Sequence, residues 1–145
     1  VVINDAMPLV SLQKLESMLG GIKGKHIALF GISYRQDVSD TRFSPAESFY
    51  STAIEKGAIM SVHDPLVEQW DEMGLKLDSK LPNAKILDAV VFAVAHREYR
   101  ELDVAAWTNG SKPVVLDAND VLSLEQRAAF RADGCYVQSI GIGGE

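Results

Sequence analysis

The segment Ala89–Ala95, AVVFAVA, is apolar at all seven positions. Successive side chains of a strand point to opposite faces, so an unbroken apolar run belongs to a strand covered on both faces, the situation of a central strand in a parallel sheet. The rest of the chain supplies what such a sheet needs. His26–Phe30, Ala58–His63, Pro113–Leu116 and Tyr136–Ile140 read as further strands, with helical patterns between them. Ser11–Leu19 carries Leu12, Leu15 and Leu19 at helical spacing and stops at Gly20-Gly21. Ser44 is placed as an N-cap, with Pro45 at the first helical position and Glu47 completing a capping box. Ala46, Phe49, Tyr50, Ala53 and Ile54 then form one apolar stripe that ends at Gly57. Leu66, Val67 and Trp70 suggest a short amphipathic helix after the Asp64-Pro65 corner. Ser123 and Gln126 form a second capping box, opening a helix to Ala132 that Gly134 stops.

Strands alternating with helices predict βαβ units. The expected fold is α/β, a Rossmann-like three-layer arrangement with a mostly parallel sheet of five or six strands, His26–Phe30 lying near the middle beside Ala89–Ala95. The 145 residues fit one domain of ordinary size. The net charge of −6 argues against nucleic acid and anionic membranes as main partners. It leaves room for one small anionic ligand, since two or three local cationic side chains suffice for that. No apolar run approaches the roughly 20 residues that span a bilayer, and no signal-peptide pattern is present. The single cysteine, Cys135, excludes an intrachain disulfide and suits a reducing, cytoplasmic setting. Val1-Val2-Ile3-Asn4-Asp5, with no initiator Met, reads as the interior of a longer chain.

Ligands of open parallel sheets bind beyond the carboxyl ends of the strands, near the first crossover, which here is Gly31–Ser44. The thirteen residues from Gly31 to Phe43 lack helix or strand periodicity and far exceed the roughly 2–6 residues usual for such a link. They contain Arg35, Arg42, Asp37 and Asp40 and deliver the chain to a capped helix. Arginine offers a planar fork for phosphate, and a helix N-terminus offers free N–H groups. Two readings follow: a phosphate-binding loop, or a solvated loop whose arginines and aspartates pair with each other. A dinucleotide fingerprint needs G-x-G-x-x-G running into a helix. Gly31 stands alone, and Gly141-Ile142-Gly143-Gly144 has no helix after it, so the usual main NAD site is not built from these residues.

The run GISYRQDVSDTRFSPA, residues 31–46, resembles the signature of the C-terminal domain of the UDP-glucose/GDP-mannose dehydrogenase family: Gly, two small or apolar residues, an aromatic, Lys, then an acidic stretch closing in D-x-R-x-S-P. VINDAMP resembles the end of that family's interdomain helix. SVHDPLV resembles its second strand with the Asp-Pro corner, LDAVVFAVAHREY its third strand and following His, and VVLDANDVL its fourth. The likeness covers nearly the whole chain in order. It implies that residues 1–22 are the end of the interdomain helix and a linker, and that 23–145 are the C-terminal UDP-sugar-binding domain. The parent enzyme would be an NAD-dependent nucleotide-sugar 6-dehydrogenase of polysaccharide biosynthesis, likewise cytoplasmic and a homodimer. It would oxidise C6 of UDP-N-acetylhexosamine or UDP-glucose to the acid through a thiohemiacetal and a thioester on a catalytic cysteine. The Y-R and S-P-A-E-S-F run favours the N-acetylhexosamine. The resemblance puts Tyr34 and Arg35 on the UDP-sugar, and Arg42, with Asp40 holding its guanidinium, toward NAD bound by an N-terminal domain. Arg35 stands where Lys is commonest, and Asn119 and Asp120 stand where an Arg often reaches substrate, so that last contact is not carried over. No catalytic residue is expected in this chain. The competing reading is a stand-alone Rossmann-type nucleotide-binding regulatory module, and an upstream dinucleotide fingerprint with a catalytic Cys in the same gene would exclude it.

Other reactive residue types have plainer explanations. Cys135 follows a helix-stopping Gly134 and begins a strand, the setting of a packed thiol. His63 and His96 each follow a strand without a second His or Cys at metal-ligand spacing, so no zinc site is expected. His96 reads as a hydrogen-bonded residue at a strand end. Asp64 fits either an acid on an adenine ribose or a cap. Trp70 and Trp107 are expected to pack at helix faces.

Overall fold

The structure is a computed structural model that describes residues 7–42 and 44–140. The Val1–Asp5 segment, Phe43 and the Gly141–Gly144 cluster lie outside the described residues. In chain order the elements are α1 (Met7–Leu19), β1 (His26–Phe30), α2 (Ala46–Glu55), β2 (Ile59–His63), β3 (Gln69–Trp70), β4 (Leu75–Lys76), β5 (Ala89–Phe92), α3 (Arg97–Arg100), α4 (Val104–Thr108), β6 (Val114–Asp117), α5 (Leu124–Ala132) and β7 (Val137–Ser139).

The main sheet has five strands in the order β2-β1-β5-β6-β7, and every pairing is parallel. β5 is central, as its apolar run requires, with β1 at its side. Alternate residues of each strand enter separate cores. Ile27, Leu29, Ala89 and Val91 face Leu12, Leu15 and Phe49 of α1 and α2. Ala28, Phe30, Val90 and Phe92 face Tyr99, Val104 and Phe130 of α3, α4 and α5. Two buried faces of one sheet make the three layers expected. α1 begins at Met7 rather than Ser11, consistent with the tolerance of a first turn for Pro8. Its Leu12 and Leu15 are fully buried, so it is part of the folded body.

Three expectations change. Leu66, Val67 and Trp70 do not form a helix: β3 and β4 pair as a small antiparallel hairpin, joined by a 3-10 turn and Gly74 at φ +65°. Trp70 is fully buried, against Tyr50 with ring centroids 5.5 Å apart, and this burial anchors the hairpin against the weak helical spacing. β5 ends at Phe92 rather than Ala95, because its neighbour β1 also ends there and only Ala93 N–H still reaches a β1 carbonyl, that of Phe30. The box at Ser44 does not form. α2 begins at Ala46 with Pro45 in the cap position and no side-chain cap: the Ser44 hydroxyl accepts from Ala46 N–H at 3.1 Å rather than from Glu47, and the Ser44 N–H is turned to the Thr41 carbonyl. The box of Ser123 and Gln126 is complete, with both bonds present at the start of α5.

Candidate functional site

The strand order reverses between β1 and β5, which makes their carboxyl ends the crevice of the sheet. Gly31 opens it at φ +98°, a conformation suited to glycine. A Cβ there would lie 2.7 Å from Val94 Cβ and 2.8 Å from Val94 N. This contact brings the two loops together.

Ile32 and Ser33 remain buried, and their N–H groups donate to the same oxygen of Asp64, Oδ2, at 2.9 and 3.2 Å. Oδ1 accepts from Leu66 N–H at 2.9 Å, closing a turn at Pro65; the helix that Asp64 was expected to cap does not form. His96 Nε2 lies 2.9 Å from Asp64 Oδ2 and 3.0 Å from Ser33 Oγ. Burial opposes the charge on Asp64, but the bonds from His96, Ile32 and Leu66 outweigh it, and its carboxyl is held below the usual range. The other ring nitrogen, Nδ1, accepts from Asp37 N–H at 2.9 Å. Ser33 Oγ donates to the Arg35 carbonyl at 2.9 Å.

From this base the chain bulges into solvent. Tyr34 is 54% exposed, and Arg35 is exposed beside it. Among the described residues, no hydrogen bond or ion pair engages the Arg35 guanidinium. Arg42 lies seven positions on, its side chain 73% exposed. It forks onto Asp40 through Nε and Nη2, at 3.1 and 3.0 Å. The Asp40 carboxyl is carried down to about 2 by its bonds from the Arg42 side chain and backbone. Asp37 instead accepts from Arg97 N–H at the start of α3. The two arginines thus differ: Arg42 is held by its aspartate, as expected, and Arg35 is presented without one.

A further network was not foreseen. Asp117, fully buried at the end of β6, accepts from the N–H groups of Asn119, Val121 and Leu122 and from Arg127 Nη2 at 3.0 Å. Asn119 Nδ2 donates to the Ala93 carbonyl, tying this loop to the end of β5. Asp120 also pairs with Arg127. These residues shape the turn between β6 and α5.

The remaining reactive types are packed. Cys135 is buried, and burial, with Asp133 nearby, pushes its thiol up to about 11. His63 Nδ1 lies 2.8 Å from the Tyr99 hydroxyl, and burial holds its pKa below the ordinary value despite Glu98. Trp107 lies on α4 and donates to the Pro82 carbonyl. Among the described residues, no group of three or more His, Cys, Asp or Glu side chains could hold a metal ion, and no helix is long and apolar enough to cross a membrane.

Residues 28–124 match the UDP binding domain of the UDP-glucose/GDP-mannose dehydrogenase family. The chain belongs to that family. A UDP-N-acetyl-D-mannosamine dehydrogenase of Methanocaldococcus jannaschii is 30% identical over 145 residues, covering 97% of this chain and 32% of the relative. A UDP-glucose 6-dehydrogenase of Rickettsia conorii is 27% identical over 138 residues, covering 88% of this chain and 32% of the relative. The solved NDP-N-acetyl-D-galactosaminuronic acid dehydrogenase of Methanosarcina mazei shares the fold, with a TM-score of 0.78 at 24% identity over 94% of this chain and 30% of that one. The chain therefore spans about a third of the length of the curated relatives that it matches. Within the family's UDP binding domain, the crevice with Tyr34 and Arg35 is the candidate site.

Proposed function

We propose that this chain is the UDP-sugar-binding domain of an NAD-dependent nucleotide-sugar 6-dehydrogenase. The carrying observation is Arg35, exposed and without a hydrogen bond or ion pair to its guanidinium among the described residues, at the strand crossover of a chain whose residues 28–124 match a UDP binding domain. A guanidinium without a protein partner is available to a diphosphate, and Tyr34 beside it offers an aromatic face and a hydroxyl. Arg42, oriented by Asp40, faces the NAD held by another domain of the same enzyme. Residues 1–22 lead in from that enzyme's central part, residues 23–145 form the binding domain, and the full enzyme is a cytoplasmic homodimer. The sugar is a UDP-N-acetylhexosamine in preference to UDP-glucose, a reading supported by the Tyr34-Arg35 pair and the SPAESF run.

The chemical work of this domain is positioning. Binding energy from the nucleotide end holds C6 of the sugar against the reacting groups of the partner domains. Cys135 is packed, buried with its thiol pushed up to about 11, and is not offered as a nucleophile. Calorimetric titration of UDP into the chain and its variants tests this. Arg35→Ala is expected to weaken UDP by about ten- to a hundredfold, the worth of a charged hydrogen bond of roughly 1.5–3 kcal/mol. Arg42→Ala is expected to leave UDP affinity nearly intact and, in the full-length enzyme, to raise the NAD requirement. Normal UDP binding by Arg35→Ala, with an earlier melt in both variants, would make the loop structural and overturn the assignment.

A further inference from the structure

We propose that His96 is a positioning residue for the Tyr34–Arg35 pair: it grips the chain at Ser33 and again at Asp37, sets the shape of the three residues between, and thereby sets the affinity of the loop for a nucleoside diphosphate. This inference rests on the UDP-binding reading above and assigns a role to a residue buried beneath the loop.

The hydrogens around the ring admit one arrangement. The Ser33 hydroxyl spends its single proton on the Arg35 carbonyl at 2.9 Å, so its oxygen is left to accept. Asp64, with its carboxyl held in the ionised form, only accepts. Both oxygens face His96 Nε2, at 3.0 and 2.9 Å, so Nε2 carries the hydrogen. Nδ1 then presents a lone pair, and Asp37 N–H donates to it at 2.9 Å. Asp64 orients the ring and the ring clamps both ends of the bulge.

The clamp holds a conformation that the residues would not choose alone. Asp37 is a non-glycine residue at φ +60°, a sparsely populated region for L side chains. Its N–H is taken by His96 and its carboxylate accepts from Arg97 N–H at 2.9 Å. Tyr34 N–H donates to the Asp40 carbonyl, and the Arg35 carbonyl is tied back to Ser33. The backbone of 33–37 is thus fastened on its inner side while the Tyr34 and Arg35 side chains stand in solvent. Fastening it before the ligand arrives removes an ordering cost from binding, worth about tenfold in affinity for a few residues.

Two substitutions divide the ring's duties. In His96→Asn the side-chain amide can take the place of Nδ1 and keep the bond from Asp37, but it loses Asp64 and Ser33. In His96→Gln the amide can reach the place of Nε2 and keep those partners, but it loses Asp37. The experiment is backbone NMR relaxation and amide exchange on the chain and both variants, followed by UDP titration, with Arg35→Ala as reference. The expected result is faster exchange and lower order at residues 34–37 only, unchanged strand signals, and UDP weakened by about tenfold in both variants. An ordered loop, or a loosened loop with unchanged UDP affinity, overturns the inference. If Arg35→Ala loses UDP while both His96 variants keep it, the positioning role falls and the UDP-binding reading stands. If Arg35→Ala binds UDP normally, the UDP-binding reading falls and so does the affinity role of His96, whatever the loop does. Should both His96 variants fail to fold, Ser33→Ala decides: it removes only the hydroxyl between His96 and the Arg35 carbonyl, and it must loosen residues 34–36 and weaken UDP.

Discussion

Asp64→Asn isolates the charge beneath the loop. In the folded chain Oδ2 takes three hydrogen bonds, from Ile32 N–H, Ser33 N–H and His96, and Oδ1 takes one from Leu66 N–H. Asparagine has one oxygen. Placed at Oδ2 it keeps three bonds but without charge assistance, a loss of about 1 kcal/mol each. Its NH2 then faces Leu66 N–H, but that end is only part-buried and water can replace the bond. The sum is about 3 kcal/mol, a large share of the roughly 5–15 kcal/mol that holds a domain together. For a chain of this length it corresponds to a melting temperature lower by about 10 °C. The pH dependence has a definite sign. The Asp64 carboxyl lies below its ordinary 3.8 in the fold, so its contribution is complete above that value and is lost as pH falls through the folded pKa. Urea denaturation followed by circular dichroism should therefore give a gap between the two proteins that is constant from about pH 7 to 5 and narrows below about pH 4. A variant within about 0.5 kcal/mol of the parent at neutral pH, the range of an ordinary surface substitution, would refute this reasoning. So would a gap that widens in acid.

Gly31→Ala should cost about 3 kcal/mol or more in the same assay, because φ of +98° strains any Cβ and Val94 leaves it only 2.7 Å; a neutral effect would mean that the two loops are not in contact. His63 is buried with a lowered pKa, so stability should be full above its ordinary value and fall as pH drops from about 6.5 through the folded pKa; His63→Gln should flatten that slope, and an unchanged slope would place its origin elsewhere. The chain mixed with NAD and any UDP-hexose should form no NADH by absorbance. Turnover that disappears in Cys135→Ser would overturn the packed-thiol reading of Cys135.

The residue pattern carried the layers well, for a physical reason. Whether a strand is covered on one face or two is written locally in its own residues, and Ala89–Ala95 states it without reference to any other segment. Helix ends are nearly as local, and the box of Ser123 and Gln126 formed as read. Ser44 shows the limit. Its hydroxyl turns to Ala46 N–H and its own N–H to the Thr41 carbonyl, partners that the spacing to Glu47 does not reveal. The hairpin of β3 and β4 was missed because the burial of Trp70 beneath Tyr50 is a tertiary fact, and it overrode a faint helical spacing. At the site, the exposed residues of the loop stood out through the length of the connection and its arginines. The foundation did not. Ser33, Asp64 and His96 lie about thirty residues apart in turn, and no spacing rule joins them. Only the strand order β2-β1-β5 brings their ends together. The signal available was that Asp64 follows β2 directly and that Ser33 and His96 stand within a few residues of the ends of β1 and β5, which is where open sheets gather polar groups.

The most direct test of the UDP site is a titration of UDP into isotopically labelled chain, followed by amide chemical shifts. The expected result is saturable shifts at residues 33–37 and at the adjoining ends of β1 and β5, with the sheet's opposite end silent. Shifts centred on Asp120, Leu124 and Arg127 at the start of α5, or none at all at millimolar UDP, would contradict it.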